Sequence, residues 1–152
     1  MAAGKRIINI DESSLSATDN RRRSWVGFGV KNITSHSQRL NQVNMIAAVS
    51  SRSDLFFTLN IGRTNSKTFL LFMTKMVSYL DKTSADWRAT SIILIDNAPY
   101  HRSKYIQSKF GELNLPLLFL GPYQYKMAPV EMLFSFIKNR DMNKLISRPY
   151  SK

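Results

Sequence analysis

The sequence predicts an α/β protein, with a central mixed sheet of about five strands and helices on both faces. Three observations point there. Short β-rich runs crowd the first 61 residues. From Phe69 the apolar spacing changes to that of a helix. Beyond it, strand-like and helix-like segments alternate. Antiparallel strands followed by alternating units are the mark of a mixed sheet covered by helices.

The elements follow in order. "RIINID" (Arg6–Asp11) is an apolar run ending in an acid and reads as a strand. From Ser13 to about Gln42 the chain is polar, a long loop with a small hairpin-like piece at Ser24–Val30. "VNMIAAVSS" (Val43–Ser51) and "LFFTLNI" (Leu55–Ile61) read as two strands joined by a turn at Arg52–Asp54. Phe69, Phe72, Met73, Met76, Val77 and Leu80 form one face of a helix, with N-cap candidates at Thr64 to Ser66. Ser91–Asp96 is the next strand, and a helix is expected from Ser103 to about Phe110, stopped by Gly111. "LPLLFL" (Leu115–Leu120) is a further strand, ended by Gly121-Pro122. The last helix runs from Pro129 to about Lys144, with Val130, Leu133, Phe134 and Ile137 as its apolar face. Pro129 suits the first turn, where a missing N–H costs nothing.

Composition excludes several chemistries. The chain of 152 residues has no cysteine, so it has no disulfide, thiolate metal site or cysteine nucleophile. With only two histidines, His36 and His101, a histidine-rich metal site is ruled out. No apolar run approaches the roughly 18 residues of a membrane helix, and the expectation is a chain with neither leader nor membrane partner. Lys and Arg number 22 against 10 acids, a formal charge of +12. A field of that sign attracts polyanions, nucleic acid first.

Ten acids are few enough to weigh one by one. Asp19, Asp54, Asp81, Asp86 and Glu112 fall in loops or at element ends, where turns and solvent account for them. Asp141 lies among basic residues. Asp11 (with its neighbour Glu12), Asp96 and Glu131 have unusual settings. Asp11 and Asp96 each end a β-rich run, and ligands gather at the carboxyl ends of strands in such sheets. Neighbouring carboxylates resist joint ionisation, and a divalent cation with hard oxygen preferences removes that cost. Glu131, in the first turn of the last helix, reaches the same place if that helix packs beside the strand ends. Each residue also has a plainer explanation. An Asp before Asn-Ala-Pro stabilises a turn through Asx-type bonds, and a first-turn Glu is favoured by the helix dipole.

"IDNAPYHRS" (Ile95–Ser103) and "LLFLGPYQYKMAPVEMLFSFIK" (Leu117–Lys138) together resemble the catalytic core of mariner-type DDE/D transposases, with related bacterial insertion-sequence enzymes. "IINIDESSL" (Ile7–Leu15) is similar to that family's first acidic motif, and 34 residues separate Asp96 from Glu131, as in one large branch of it. The resemblance implies one ribonuclease H-like DDE catalytic domain over residues 1–152. It makes Asp11, Asp96 and Glu131 the catalytic and metal-binding triad for two Mg²⁺ (or Mn²⁺) ions. It implies cleavage of double-stranded DNA at transposon ends and strand transfer to a target, both phosphoryl transfers. It also implies a homodimer, clasped through the loop at residues 19–42, and residence in the nucleus of a eukaryotic host, otherwise in the cytoplasm or nucleoid.

Arg21, Arg22 and Arg23 beside Trp25 suit phosphate contact and stacking. Lys31, His101, Arg102, Lys104 and Lys138 complete the basic residues assigned to DNA; a solvated loop and a solvated helix start are the plain alternatives. Two departures from the family stand out. Gln124 and Tyr125 occupy the place of Ser-Pro, and Ala128 that of Asn. The lost cap, worth about 0.5–2 kcal/mol, implies a less firmly held Glu131. The family's N-terminal helix-turn-helix reader is also absent from these residues. A fragment, a decayed copy or a separately encoded core is the expectation. Two competing functions follow: a catalytically weak DNA-binding and dimerising remnant, and a nuclease acting on RNA–DNA hybrids.

Overall fold

Strand β1 (Arg6–Leu15) runs further than its apolar stretch. In this computed structural model, which describes residues 4–15, 28–29, 43–121 and 128–139, Glu12 to Leu15 stay in the ladder. They do so because β2 (Val43–Ser50) pairs antiparallel with β1 as far as Leu15 opposite Val43. Asp11 is therefore inside a strand and not at its end. On the other side of β1, however, β4 (Ser91–Ile95) pairs in parallel only up to Asn9 opposite Leu94. Asp11 and Asp96 each lie two residues past that last pair. Neighbouring strands are about 4.8 Å apart, so the register alone brings the two acids to one place.

β3 (Leu55–Ile61) pairs antiparallel with β2, and β5 (Leu117–Phe119) pairs parallel with β4. The sheet order is β3-β2-β1-β4-β5, five strands and mixed, as expected. β5 is shorter than the apolar run Leu115–Leu120 that marks it. The β-prone patch Ser24–Val30 lies outside the described residues apart from Phe28 and Gly29, which form a turn.

Strand parity sorts the side chains onto two faces. Ile8, Ile10, Ile46, Ala48, Ile93 and Ile95 point to one face. There they meet α1 (Ser66–Thr83) and α3 (Lys104–Glu112) through Phe69, Met73, Leu80, Ile106 and Phe110. Met45 and Ala47 point to the other, where α4 (Pro129–Asn139) sets Val130 and Phe134 against them. Each of the isoleucine, leucine, valine, methionine and phenylalanine side chains among these, fully buried, contributes about 1.5–3 kcal/mol. Helices thus cover both faces.

Local chemistry sets the ends. Asn65 caps α1, its Oδ1 accepting from the backbone of Lys67 and Thr68 at 2.9 and 3.1 Å. Thr68 Oγ1 returns the bond by accepting from Asn65 N, a complete capping box. Gly111 does not stop α3. The helix passes through it, and Asn114, with φ 49°, takes the left-handed turn that ends it. The sequence pattern also missed α2 (Trp87–Thr90), one turn pinned by Trp87 Nε1 donating to Asp81 at 2.7 Å. Among the described residues no helix is long and apolar enough to cross a membrane.

Candidate active site

The parity that builds the core also deals out the polar residues of β1. Asn9 and Asp11 face α4, and Glu12 faces the side of α1 and α3. Asn9 is 1% exposed, and its Oδ1 accepts from the backbone N–H of Val130 at 3.1 Å. That N–H belongs to the first turn of α4, where an N-cap side chain would bond. Ala128 cannot supply the bond, so Asn9 provides the cap from across the interface, and the expected loosening of Glu131 is offset. Glu131 follows Val130 directly, and its own N–H donates to Ala128 O at 3.0 Å.

Asp11 lies between the other acids. Burial, chiefly, raises its pKa to about 7; the charges of Glu12, Glu131 and Asp96 add to this, and a hydrogen bond from Glu12 N–H opposes it. That bond runs to Oδ1 at 2.7 Å. The structure therefore brings Asp96 and Glu131 each within electrostatic reach of Asp11. Among the described residues, no three acids or imidazoles are close enough to form a ready-made cation cage. A Mg²⁺ ion uses one or two carboxylates and completes its shell with phosphate and water. The fit therefore rests on the donors: all are carboxylate oxygens, and like charges crowd Asp11. Asp11, Asp96 and Glu131 could hold such a cation.

The loop after β4 is braced from within. Asp96 Oδ1 accepts from Ala98 N–H at 3.0 Å, the Asx turn anticipated from Asn-Ala-Pro. Asn97 donates to Leu120 O at 2.6 Å and accepts from Arg102 Nε at 2.7 Å. The Arg102 guanidinium lies 3.9 Å over the Phe119 ring. Arg102 and Lys104 are exposed, as a DNA contact requires, and Lys138 is partly so. Arg21, Arg22, Arg23 and Lys31, with nearly all of the loop 19–42, lie outside the described residues, as do Gln124 and Tyr125.

His101 is a correction. It is 1% exposed and cannot meet the DNA backbone. Its ring lies against Phe69 and Tyr100, with centroids 4.3 and 4.1 Å away. Nδ1 donates to Asp96 Oδ1 at 2.8 Å, and Nε2 donates to Glu12 Oε1 at 3.3 Å. Burial works against its charge, but the two carboxylates prevail and lift its pKa to about 9. In return His101 lowers the pKa of Asp96, against partial burial. Tyr100 also bonds Glu12, and burial followed by that acid's charge pushes its hydroxyl upward.

The family model of the DDE superfamily endonucleases matches residues 6–148. The chain belongs to that family. The chain also shares its fold with solved structures. The Mos1 mariner paired-end complex with Mn superposes with a TM-score of 0.67 at 21% identity, over 88% of this chain and 41% of that one. The Mos1 strand transfer complex gives 0.65 at 21%, over 88% and 40%. The catalytic domain of Mos1 mariner transposase gives 0.61 at 17%, over 96% and 63%. The fold is ribonuclease H-like. The chain spans about two fifths of the longer Mos1 chains it matches. No curated protein sequence matches it.

Asn9 was not singled out from sequence and Glu12 was noted only as the neighbour of Asp11, although a signal existed for Asn9. A lone amide inside the apolar run "IINI" has to find a buried partner.

Proposed function

We propose that this chain is the catalytic core of a mariner-type transposase, a metal-dependent DNA endonuclease and strand transferase. The observation that carries the reading is the set of acids around Asp11, in a chain whose family is that of DDE endonucleases. Asp11, Asp96 and Glu131 would hold two Mg²⁺ or Mn²⁺ ions. Bound there, the ions would activate the attacking water or 3′-hydroxyl and stabilise the leaving oxygen. The protein's own part is positional. β1 and β4 present Asp11 and Asp96 side by side, Asn9 seats the first turn of α4, and the Asx turn fixes one oxygen of Asp96. The solved Mos1 complexes with paired ends and with Mn, and of strand transfer, support double-stranded DNA ends and target as partners. We extend the reading to a homodimer acting on two ends, in the nucleus of a eukaryotic host and otherwise in the cytoplasm or nucleoid.

One observation favours a second reading, a DNA-binding module of weak catalysis: the acids form no ready-made cage among the described residues. One assay separates the two. Supercoiled plasmid is incubated with the protein and Mg²⁺ or Mn²⁺, beside Asp96→Asn. The proposal expects metal-dependent nicking that the variant lacks. Plasmid retention without nicking by either protein selects the binding module.

A further inference from the structure

Asp96 is held locally by its Asx turn alone, through Ala98 N–H. Its side chain is 48% exposed, at the tip of a loop. His101, by contrast, is held on every side. Its ring packs on Phe69 and Tyr100. Its N–H donates to Ala98 O at 2.9 Å, and its carbonyl accepts from Gln107 Nε2 at 2.8 Å. Glu12, only 16% exposed on β1, accepts from the far ring nitrogen. Both ring nitrogens face carboxylates, and only the doubly protonated ring donates to both. Asp96 Oδ1 then receives two donors, His101 Nδ1–H and Ala98 N–H. Among the described residues no donor is found for Oδ2. A continuous path therefore runs from Asp11 through the Glu12 backbone, the Glu12 carboxylate and the buried ring to Asp96.

We infer that His101, gripped by Glu12, is a positioning residue that commits Oδ1 of Asp96 to the protein and leaves Oδ2 for the cation. The inference rests on the metal-dependent reading above. Outer-shell partners of this kind commonly change metal affinity by about 10–100-fold.

Two substitutions of similar size divide the ring's roles. His101→Asn keeps a donor at the δ position, toward Asp96. His101→Gln keeps one at the ε position, toward Glu12, and loses the Asp96 bond. Mn²⁺ binding to the full chain is measured by electron paramagnetic resonance, with Asp96→Asn as the control for the site and thermal melting as the check on folding. The expected result is Mn²⁺ affinity at least about 10-fold weaker in His101→Gln and within about 3-fold of the parent in His101→Asn. Equal affinity in parent and His101→Gln overturns the inference, and so does an equal loss in both variants, which marks a structural role alone. A parent chain that binds no Mn²⁺ defeats the metal-dependent reading itself, and the inference with it.

Nitrogen-15 spectra of the unsubstituted ring keep the test decisive if either variant fails to fold. His36→Gln assigns the signals, because the chain has two histidines. Both ring nitrogens of His101 are expected to be protonated, and Mg²⁺ to shift Nδ1 more than Nε2. An Nδ1 signal indifferent to Mg²⁺ overturns the inference.

Discussion

A pKa of about 7 at Asp11 places a proton in competition with any cation near neutral pH. The folded value lies above the unfolded one, which is near 4. The stability linked to this group is therefore complete below about pH 4 and lost as pH rises through about 7. His101 acts in the same direction over a higher window, from its ordinary value of about 6.5 to about 9. Metal binding reverses the sense at Asp11, because the ligand must be deprotonated. Mg²⁺ affinity is expected to weaken steadily as pH falls from 8 to about 6, with about one proton released per binding event at the low end. Calorimetry in buffers of different ionisation enthalpy measures that release; a pH-independent affinity would count against Asp11 as a ligand. At this scale the sequence was legible where residue type and place agreed, as for the Asx turn that Asp96 makes before Asn-Ala-Pro. It misled at His101, because a basic residue after a loop looks exposed, while Phe69 on a helix well upstream is what buries it. Glu12 stayed hidden because its role depends on strand parity and on a ring 89 residues away.

α4 carries Glu131, and two contacts of different strength hold that helix. Phe134 is 1% exposed in the cluster with Met45 and Ala47, and its loss to Ala should cost about 3–5 kcal/mol. Asn9→Ala removes only the cap on Val130, about 1 kcal/mol. Because the cap is next to Glu131, the small destabilisation should come with a clear loss of Mn²⁺ affinity at 25 °C. Denaturant melts and metal titrations on the same samples check this. If affinity instead followed stability across both variants, Asn9 would be a cap and nothing more. Helices α1 and α4 and strands β2 and β3 were readable because their apolar periods are long and uninterrupted. The extension of β1 was not, since "ESSL" is mostly polar and its place in the ladder depends on β2, which begins 28 residues later. Gly111 also misled, because the stop belongs to Asn114, whose φ of 49° only the fold reveals.

Across the whole molecule, the element order sufficed to give the mixed sheet and its two helical faces, while the charge gave only the class of partner. Of the acids, Asp54, Asp81 and Glu112 are engaged by Arg6, Arg88 and Lys109. The formal charge of +12 is an excess of cations over acids that phosphate can meet. Plasmid binding should then follow counterion release, with log affinity falling by about 0.9 per phosphate contact for each unit of log salt. Lys104, exposed in the first turn of α3, should contribute about one contact, so Lys104→Ala is expected to make that slope shallower by about 0.9. Arg102→Ala should do more than this, because the same guanidinium group holds Asn97 and lies over Phe119 beside Asp96. It is expected to lower the salt slope by a similar amount and also to slow nicking at low salt, where binding is saturated. Filter-binding and nicking assays on one salt series separate the two effects. Matching behaviour of the two variants in both assays would show that Arg102 meets DNA as a charge alone and that the loop after β4 keeps its shape without it.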